Sequence, residues 1–195
     1  NKLGTGKKVI LKDNKIIKRL NWYQLPTFKK NKVNYPIIDL KNQLENKLRS
    51  AVHKQMLSDV PLGCFLSGGL DSSTIAKFAS EINPDLNCYT IEIEENDGFK
   101  EDLYFAKKVS KILNVKLDVI KVTPADMIEN LQNMVFDLDE PLGDPAPLNV
   151  YFISKLARKN GHKVLLSGTG GDDIFSGYRR HLSTNIIKYT RHFPK

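Results

Sequence analysis

The sequence predicts an α/β fold, with an open, mainly parallel sheet that carries helices on both faces and is preceded by a short β-hairpin. Two observations support this prediction. From residue 60 onward, short apolar runs alternate with segments of helical periodicity, an order typical of parallel strands joined by helical crossovers. The chain has 195 residues, 41% of them hydrophobic, which is enough for the core of one domain of ordinary size.

The first 40 residues lie outside this alternation. Residues 1–23 contain two β-rich runs around an Asp-Asn pair, a pattern that predicts a hairpin. Residues 24–40 carry Pro26 and Pro36 among polar residues, a composition typical of a linker. Residues 41–195 then form the main domain.

The elements of the main domain are predicted from apolar periodicity and from turn and capping residues. Apolar residues at helical spacing predict a first helix from Leu40 to Met56. The predicted strands are Val60–Leu66, Cys88–Ile93, Leu117–Val122 and Lys163–Leu166. The predicted helices between them are Ser72–Glu81, Glu101–Leu113, Pro124–Phe136 and Asn149–Asn160, with an irregular stretch at Asp137–Pro147. Two glycine-rich segments, one beginning at Ser67 and the other at Ser167, therefore come directly after strand ends, where open α/β sheets bind their ligands.

Composition limits the partners without choosing one. Thirty Lys and Arg against 22 Asp and Glu give a net charge of +8, which permits an anionic partner such as a nucleotide or RNA. Most lysines are expected on solvated helix faces, so nucleic acid is the less favoured partner. We find no apolar run of membrane-spanning length and no secretory signal, and we predict a cytoplasmic protein without a membrane partner.

Cysteine and histidine usage does not suggest a metal cage. Cys64 and Cys88 each lie in a short apolar run, where a free thiol packs as a small hydrophobic group. The four histidines lack the paired spacing of zinc ligands. Any metal is therefore expected to arrive with a phosphate ligand.

The first candidate site is the segment Ser67-Gly68-Gly69-Leu70-Asp71-Ser72-Ser73, which comes after a predicted strand and opens a helix. Glycines let backbone N–H groups approach an anion, and a helix N-terminus adds unpaired donors and partial positive charge. The spacer and lysine of a Walker loop are missing. Because a carboxylate alone would repel phosphate, we expect Asp71 to hold a Mg²⁺ that bridges to phosphate oxygens. The ordinary alternative is that Asp71 or Ser72 caps the helix.

The second candidate site runs from Leu166 to Arg180 and reads LSGTGGDDIFSGYRR. It also comes after a strand and combines glycines and a hydroxyl with two carboxylates, Asp172 and Asp173. Such a pair suits a Mg²⁺ or an amine substrate, and Arg179 and Arg180 are candidates for phosphate contacts. The ordinary alternative is a surface turn with a helix cap.

The first segment resembles the pyrophosphate loop of the ATP pyrophosphatases, and the two segments together resemble the signatures of the asparagine synthetase family. In that family a Leu-Ser-Gly-(Glu)-Gly-(Gly/Ser)-Asp-(Glu) turn precedes Phe-x-Gly-Tyr, and Leu166–Tyr178 resembles this pattern. The stretch Leu138–Ala146 resembles the family's Asp-Glu-Pro-x-x-Asp-Pro sequence. The resemblance covers about residues 41–182, and the opening hairpin resembles the last strands of the family's amino-terminal glutaminase domain.

The resemblance implies a ligase that uses Mg-ATP to adenylate a small carboxylate, releases pyrophosphate and lets an amine displace AMP. The amine would be ammonia from a glutaminase domain of the same full-length chain, and a homodimer is compatible with this reading. Because the nucleophilic Cys of that domain and the family's carboxyl-terminal region are absent, the piece is not expected to turn over alone.

Residue roles are implied by the same resemblance. The nucleotide phosphates and their Mg²⁺ would be bound by Leu66, Ser67, Gly68, Gly69, Asp71, Ser72 and Ser73. The AMP part would be contacted by Ile91, which would lie against adenine, and by Ser167 and Gly168. The acyl substrate or amine would be faced by Asp172, which with Asp71 forms the catalytic pair, and by Asp144, Thr169, Gly170 and Asp173.

Thr169 departs from the family pattern, which has Glu at this position. A threonine hydroxyl cannot deprotonate ammonia near neutral pH. This departure weighs against aspartate as the acceptor and favours another carboxylate, such as a sugar uronate, with aspartate kept as the other candidate. Three alternatives stay open: amide closure within one substrate, as in β-lactam synthetases; a tRNA-modifying enzyme, which would bind RNA in a salt-sensitive way; and a nucleotide-binding module without catalysis.

Overall fold

A computed structural model describes residues 3–24, 35–94, 97–138, 140, 142–178 and 181. The chain divides into two compact units, Asn1–Lys41 and Asn42–Lys195, which are described separately. No helix in the described ranges is both long enough and apolar enough to cross a membrane.

The first unit contains an antiparallel hairpin of β1 (Lys7–Lys12) and β2 (Lys15–Asn21). The two residues between the strands, Asp13 and Asn14, have φ of 49° and 57°, in the left-handed region. Two successive left-handed residues are what a twist-matched two-residue hairpin turn requires, and Asp and Asn tolerate them well. The predicted hairpin is thereby confirmed.

Helix α1 (Ile37–Gln55) begins inside the range predicted as a linker. The Pro36 carbonyl accepts hydrogen bonds from the backbone N–H groups of Asp39 and Leu40 at 3.0 and 3.2 Å. Proline is tolerated where a helix starts because its missing N–H would have no intrahelical partner there. The predicted linker covers residues 24–40. Residues 37–40 belong to this helix, residues 24, 35 and 36 are described outside it, and residues 25–34 fall outside the described ranges.

The second unit is built on four parallel strands in the order β5-β4-β3-β6. The strands are β3 (Leu62–Phe65), β4 (Asn87–Ile93), β5 (Lys116–Val122) and β6 (Val164–Leu166). The helices are α2 (Leu70–Ser80), α3 (Asp97–Leu113), α4 (Pro124–Asp137), α5 (Ala146–Lys159) and α6 (Gly171–Phe175). The predicted parallel sheet is confirmed.

Besides α1, three helices begin earlier than predicted. Helix α2 begins at Leu70, two residues before the predicted start. Helix α3 begins four residues before the predicted start at Glu101. Helix α5 begins at Ala146, inside the stretch predicted to be irregular, with Pro147 in its first turn. Proline reads as a helix breaker in the sequence, yet in a first turn it costs no hydrogen bond.

Side chains of β4 alternate between two cores, one on each face of the sheet. Cys88 joins a cluster with Leu66 of the first glycine-rich connection, Ala76 of α2 and Ala106 of α3. Tyr89 joins a second cluster with Phe152, Ile153 and Ala157 of α5. Helices therefore cover both faces, as predicted.

The paired strands bury both cysteines. Cys64 and Cys88 lie opposite each other in β3 and β4, and burial raises the pKa of each thiol to about 12. Because the thiolate is the reactive form, we expect both to react with a disulfide reagent at pH 8 more than about 100-fold more slowly in the folded chain than in guanidinium. The absorbance of the thiol released from the reagent measures the reaction rate. Labelling of the folded chain at a rate close to that in guanidinium would contradict the expected burial of the two cysteines.

Candidate functional site

The two glycine-rich segments leave the sheet side by side at its topological switch point. From β3 the chain proceeds to β4 and then β5 in one direction, whereas β6 lies on the other side of β3. Leu166, the last residue of β6, pairs with Cys64 near the end of β3. In open α/β sheets the crevice between two such strand ends is the usual ligand site.

The second segment packs directly on the first turn of α2. A Cβ placed on Gly168 would lie 2.8 Å from both the carbonyl carbon of Asp71 and the backbone nitrogen of Ser72. A Cβ placed on Gly171 would overlap the Asp71 carboxylate. Only glycine permits backbones and a carboxylate to come this close, so two segments far apart in sequence form one wall.

A cleft of about 560 Å³ opens between the segments. Nine predicted site residues line it: Ser67, Gly69, Asp71, Ser72, Ser167, Gly168, Thr169, Gly170 and Asp172. Sequence reasoning did not assign site roles to the remaining lining residues, Phe65, Leu70, Val150, Gly171, Phe175, Gly177 and Tyr178. Val150 lies on α5, and no local signal in the sequence says that this helix reaches the strand ends.

The serines of the first segment hold the loop in shape. The Ser67 and Ser72 hydroxyl oxygens are 3.0 Å apart, and the Ser72 hydroxyl donates to the Gly69 carbonyl at 3.2 Å. Gly69 is the N-cap of α2, and no side chain caps the helix there. The capping alternative for Asp71 or Ser72 is therefore wrong, and the start of α2 faces the cleft without a side-chain cap, as an anion site requires.

The second segment is held by its own hydrogen bonds. The Ser167 and Thr169 hydroxyl oxygens are 2.6 Å apart, and the Thr169 N–H donates to the Ser167 hydroxyl at 3.1 Å. The Gly171 N–H donates to the Gly168 carbonyl at 3.2 Å. Thr169 is thus tied to its neighbour by both its hydroxyl and its amide.

Two carboxylates, those of Asp71 and Asp172, belong to the cleft lining, which includes no Lys or Arg among the described residues. Across the described part of the chain, no group of three or more His, Cys, Asp and Glu side chains is placed to hold a metal. Two carboxylates leave most positions around a Mg²⁺ open, which suits an ion that keeps phosphate and water ligands. The donor set fits such an ion and does not form an all-protein cage.

Some predicted residues lie away from the cleft. Asp144 accepts a hydrogen bond from the Ala146 N–H at 2.9 Å and so supports the start of α5, and neither Asp144 nor Asp173 is part of the lining. Gly68 packs against α3, and the buried Ser73 hydroxyl has no hydrogen-bond partner within the described ranges. Arg179 and Arg180 fall outside the described residues.

A smaller pocket of about 160 Å³ adjoins the cleft and shares Phe65 and Ser67 with it. Leu66 and Ile91, two predicted nucleotide contacts, line this pocket. Asp102 of α3 also lines it. Sequence reasoning missed Asp102 because helix periodicity gives no sign that this residue lies at the strand ends.

Comparisons with known proteins identify the family of this chain. A family model described as asparagine synthase matches residues 43–194. The chain is 37% identical to an asparagine synthetase (glutamine-hydrolysing) of Bacillus subtilis over 168 residues, which is 84% of this chain and 26% of that protein. It is 34% identical over 186 residues to a putative asparagine synthetase of Methanocaldococcus jannaschii, which is 94% of this chain and 35% of that protein.

The chain thus spans about a quarter to a third of the length of these two relatives. Among solved structures, the U34-tRNA thiolase NcsA from Methanococcus maripaludis is similar with a TM-score of 0.54 and 16% identity, over 80% of this chain and 52% of that one. At this identity the likeness concerns the fold alone.

Proposed function

The chain belongs to the asparagine synthase family, and we propose that it is the ATP-binding core of an enzyme that amidates a carboxylate through an acyl-adenylate. This proposal depends mainly on one observation. Gly168 packs on the backbone of Asp71 and Ser72, so that both glycine-rich segments line a single cleft. A cleft of that composition suits one nucleotide held by its phosphates from two sides.

In this proposal the triphosphate lies along Ser67–Ser73, at the uncapped start of α2. Backbone N–H groups and the partial positive charge of the helix N-terminus compensate part of its charge. The adenine lies near Ile91 in the adjoining pocket, and Ser167 and Gly168 contact the AMP part.

Asp71 would hold Mg²⁺, and Asp172, which belongs to the same lining, would face the acyl substrate or the incoming amine. When bound, the ion would neutralise phosphate charge and polarise the α-phosphate. No described Lys or Arg lines the cleft. The positive charge that the described lining offers to the phosphates therefore comes from the N-terminus of α2 and from backbone N–H groups.

The proposed reaction proceeds in two displacements. A carboxylate oxygen of the acceptor bonds to the α-phosphorus, the bond from that phosphorus to the bridging oxygen breaks, and pyrophosphate leaves with the electron pair. An amine then bonds to the acyl carbon and loses a proton to water, and AMP leaves with the former carboxylate oxygen and the electron pair of the broken bond. The chain's part is to align the acceptor with the α-phosphorus and to hold the departing pyrophosphate at α2.

Thr169 bears on the choice of acceptor. Its hydroxyl is engaged with that of Ser167 at 2.6 Å and offers no base for an incoming ammonium ion. We therefore propose that the acceptor is either aspartate, with deprotonation by another group, or a different carboxylate such as a sugar uronate. The ammonia would come from a glutaminase domain, to which we assign the β1–β2 hairpin as its final strands.

An isotope experiment on the complete gene product tests this chemistry. With ATP, Mg²⁺, glutamine and either aspartate or glucuronate labelled with ¹⁸O in the carboxylate, we expect pyrophosphate release and transfer of one ¹⁸O to AMP, read by mass spectrometry. Reactions without the acceptor are the control. Formation of ADP and phosphate would contradict the proposal.

Two other results favour the alternatives. ATP binding without pyrophosphate release from any acceptor would favour a module that has lost catalysis. Tight RNA binding that weakens steeply with salt would favour a tRNA-modifying enzyme.

A further inference from the structure

The small pocket beside the cleft combines an apolar wall with one carboxylate. Ile91 of β4 and Ile153 of α5 are 6% and 7% exposed and supply apolar surface. Asp102, on α3, lines the same pocket, and Asn149 adds a carboxamide. A ligand that fills it therefore needs an apolar, flat or ring-shaped body together with hydrogen-bond donors.

The Asp102 carboxylate makes no hydrogen bond or ion pair with another described side chain. Partial burial raises its pKa, with the neighbouring charge of Glu101 as the second cause. A carboxylate at the edge of a pocket is partly shielded from water, so hydrogen-bond donors on a ligand stabilise it more than they stabilise a fully hydrated carboxylate. Helix α3 keeps this acceptor close to the first glycine-rich segment, since a Cβ on Gly68 would lie 2.5 Å from the Ala106 backbone nitrogen.

Three parts of a nucleotide could approach Asp102, and charge and shape distinguish them. The phosphates would be repelled by the carboxylate. The adenine ring suits the apolar wall, and the strand ends offer backbone groups to its edge. The ribose presents two adjacent hydroxyl donors, which match the two oxygens of a carboxylate and tolerate the exposed position of Asp102.

We propose that Asp102 accepts hydrogen bonds from the 2′ and 3′ hydroxyls of the nucleotide and thereby makes the site selective for ribonucleotides. This inference rests on the proposed nucleotide site and adds a specificity residue to it. Asp102 is a binding group in this scheme and takes no part in bond making.

The test compares the binding of ATP and of its 2′-deoxy and 3′-deoxy analogues by titration calorimetry. We expect the unchanged protein to bind each deoxy analogue about 10-fold more weakly than ATP, since a hydrogen bond to a charged group is lost. Asp102→Ala loses both contacts, so it should bind ATP at least about 10-fold more weakly than the unchanged protein does, and its discrimination between ATP and the analogues should fall below about twofold. Glu101→Ala, on the same helix and outside the pocket, is the matched control and should keep the discrimination.

The results separate the two proposals. Failure of the unchanged protein to bind ATP would contradict the nucleotide site itself. Binding of ATP with no preference over the deoxy analogues, or a preference that survives in Asp102→Ala, would overturn the ribose contact and leave the nucleotide site standing. Circular dichroism of each variant reports whether it folds, and Asp102→Asn serves as a second variant that keeps the side-chain shape.

Discussion

Asp71→Asn should lower Mg²⁺-dependent pyrophosphate formation by about 100-fold or more while the chain keeps its fold. The substitution removes the negative charge that would hold the ion at the phosphates, an effect worth several kcal/mol in transition-state stabilisation. Asn has nearly the same shape, so the packing of this side chain against Gly171 should persist.

Initial rates of pyrophosphate release over a range of Mg²⁺ concentrations measure the effect in the complete gene product. Asp85→Asn is the matched control, because Asp85 is exposed and lies before β4, away from the cleft lining. Its rates should equal those of the unchanged protein. An Asp71→Asn variant with normal rates and normal Mg²⁺ dependence would exclude Asp71 as a metal ligand.

Gly168→Ala should weaken ATP binding by about 10-fold or more and lower the free energy of unfolding by about 1–3 kcal/mol. The added methyl group would lie 2.8 Å from backbone atoms of Asp71 and Ser72, which belong to a helix and cannot move aside as a flexible side chain does. The two segments must separate, and the phosphate site loses its shape.

Gly143→Ala is the control for this change, since nothing lies within 4 Å of a Cβ at that position. Calorimetric titration with ATP and denaturant unfolding measure binding and stability in both variants. If Gly168→Ala bound ATP as tightly as Gly143→Ala, the contact between the two segments would not be what forms the site.

The local elements of this chain could be predicted from its sequence, and the strand order could not. Alternating apolar runs and helical periodicity predict β3 to β6, and successive residues such as Cys88 and Tyr89 do point to opposite cores. The position of β6 beside β3 depends on tertiary packing, and no local pattern in residues 164–166 encodes it. The cleft could be predicted only because two recognisable segments both come after strands.

Sequence reasoning is weakest for helical residues that reach the pocket and the cleft. Asp102 and Val150 sit on amphipathic helices, where a polar or half-exposed residue is ordinary. Which of them reaches the strand ends depends on how each helix is rotated on the sheet. Pro147 was predicted to belong to an irregular stretch, although it lies in the first turn of α5. A proline in a first helical turn can be told from a loop proline only by the helical pattern of the residues that come after it.

Nucleotide binding depends on the pairing of the three-residue strand β6, the last described strand to enter the sheet in chain order. It pairs only with β3 among the described strands, yet it carries the second segment to the cleft. A chain whose earlier strands have assembled without β6 would keep most of its core and have only half of the phosphate site. A bound nucleotide would therefore favour the fully assembled sheet and protect the amides of this short edge strand against hydrogen exchange.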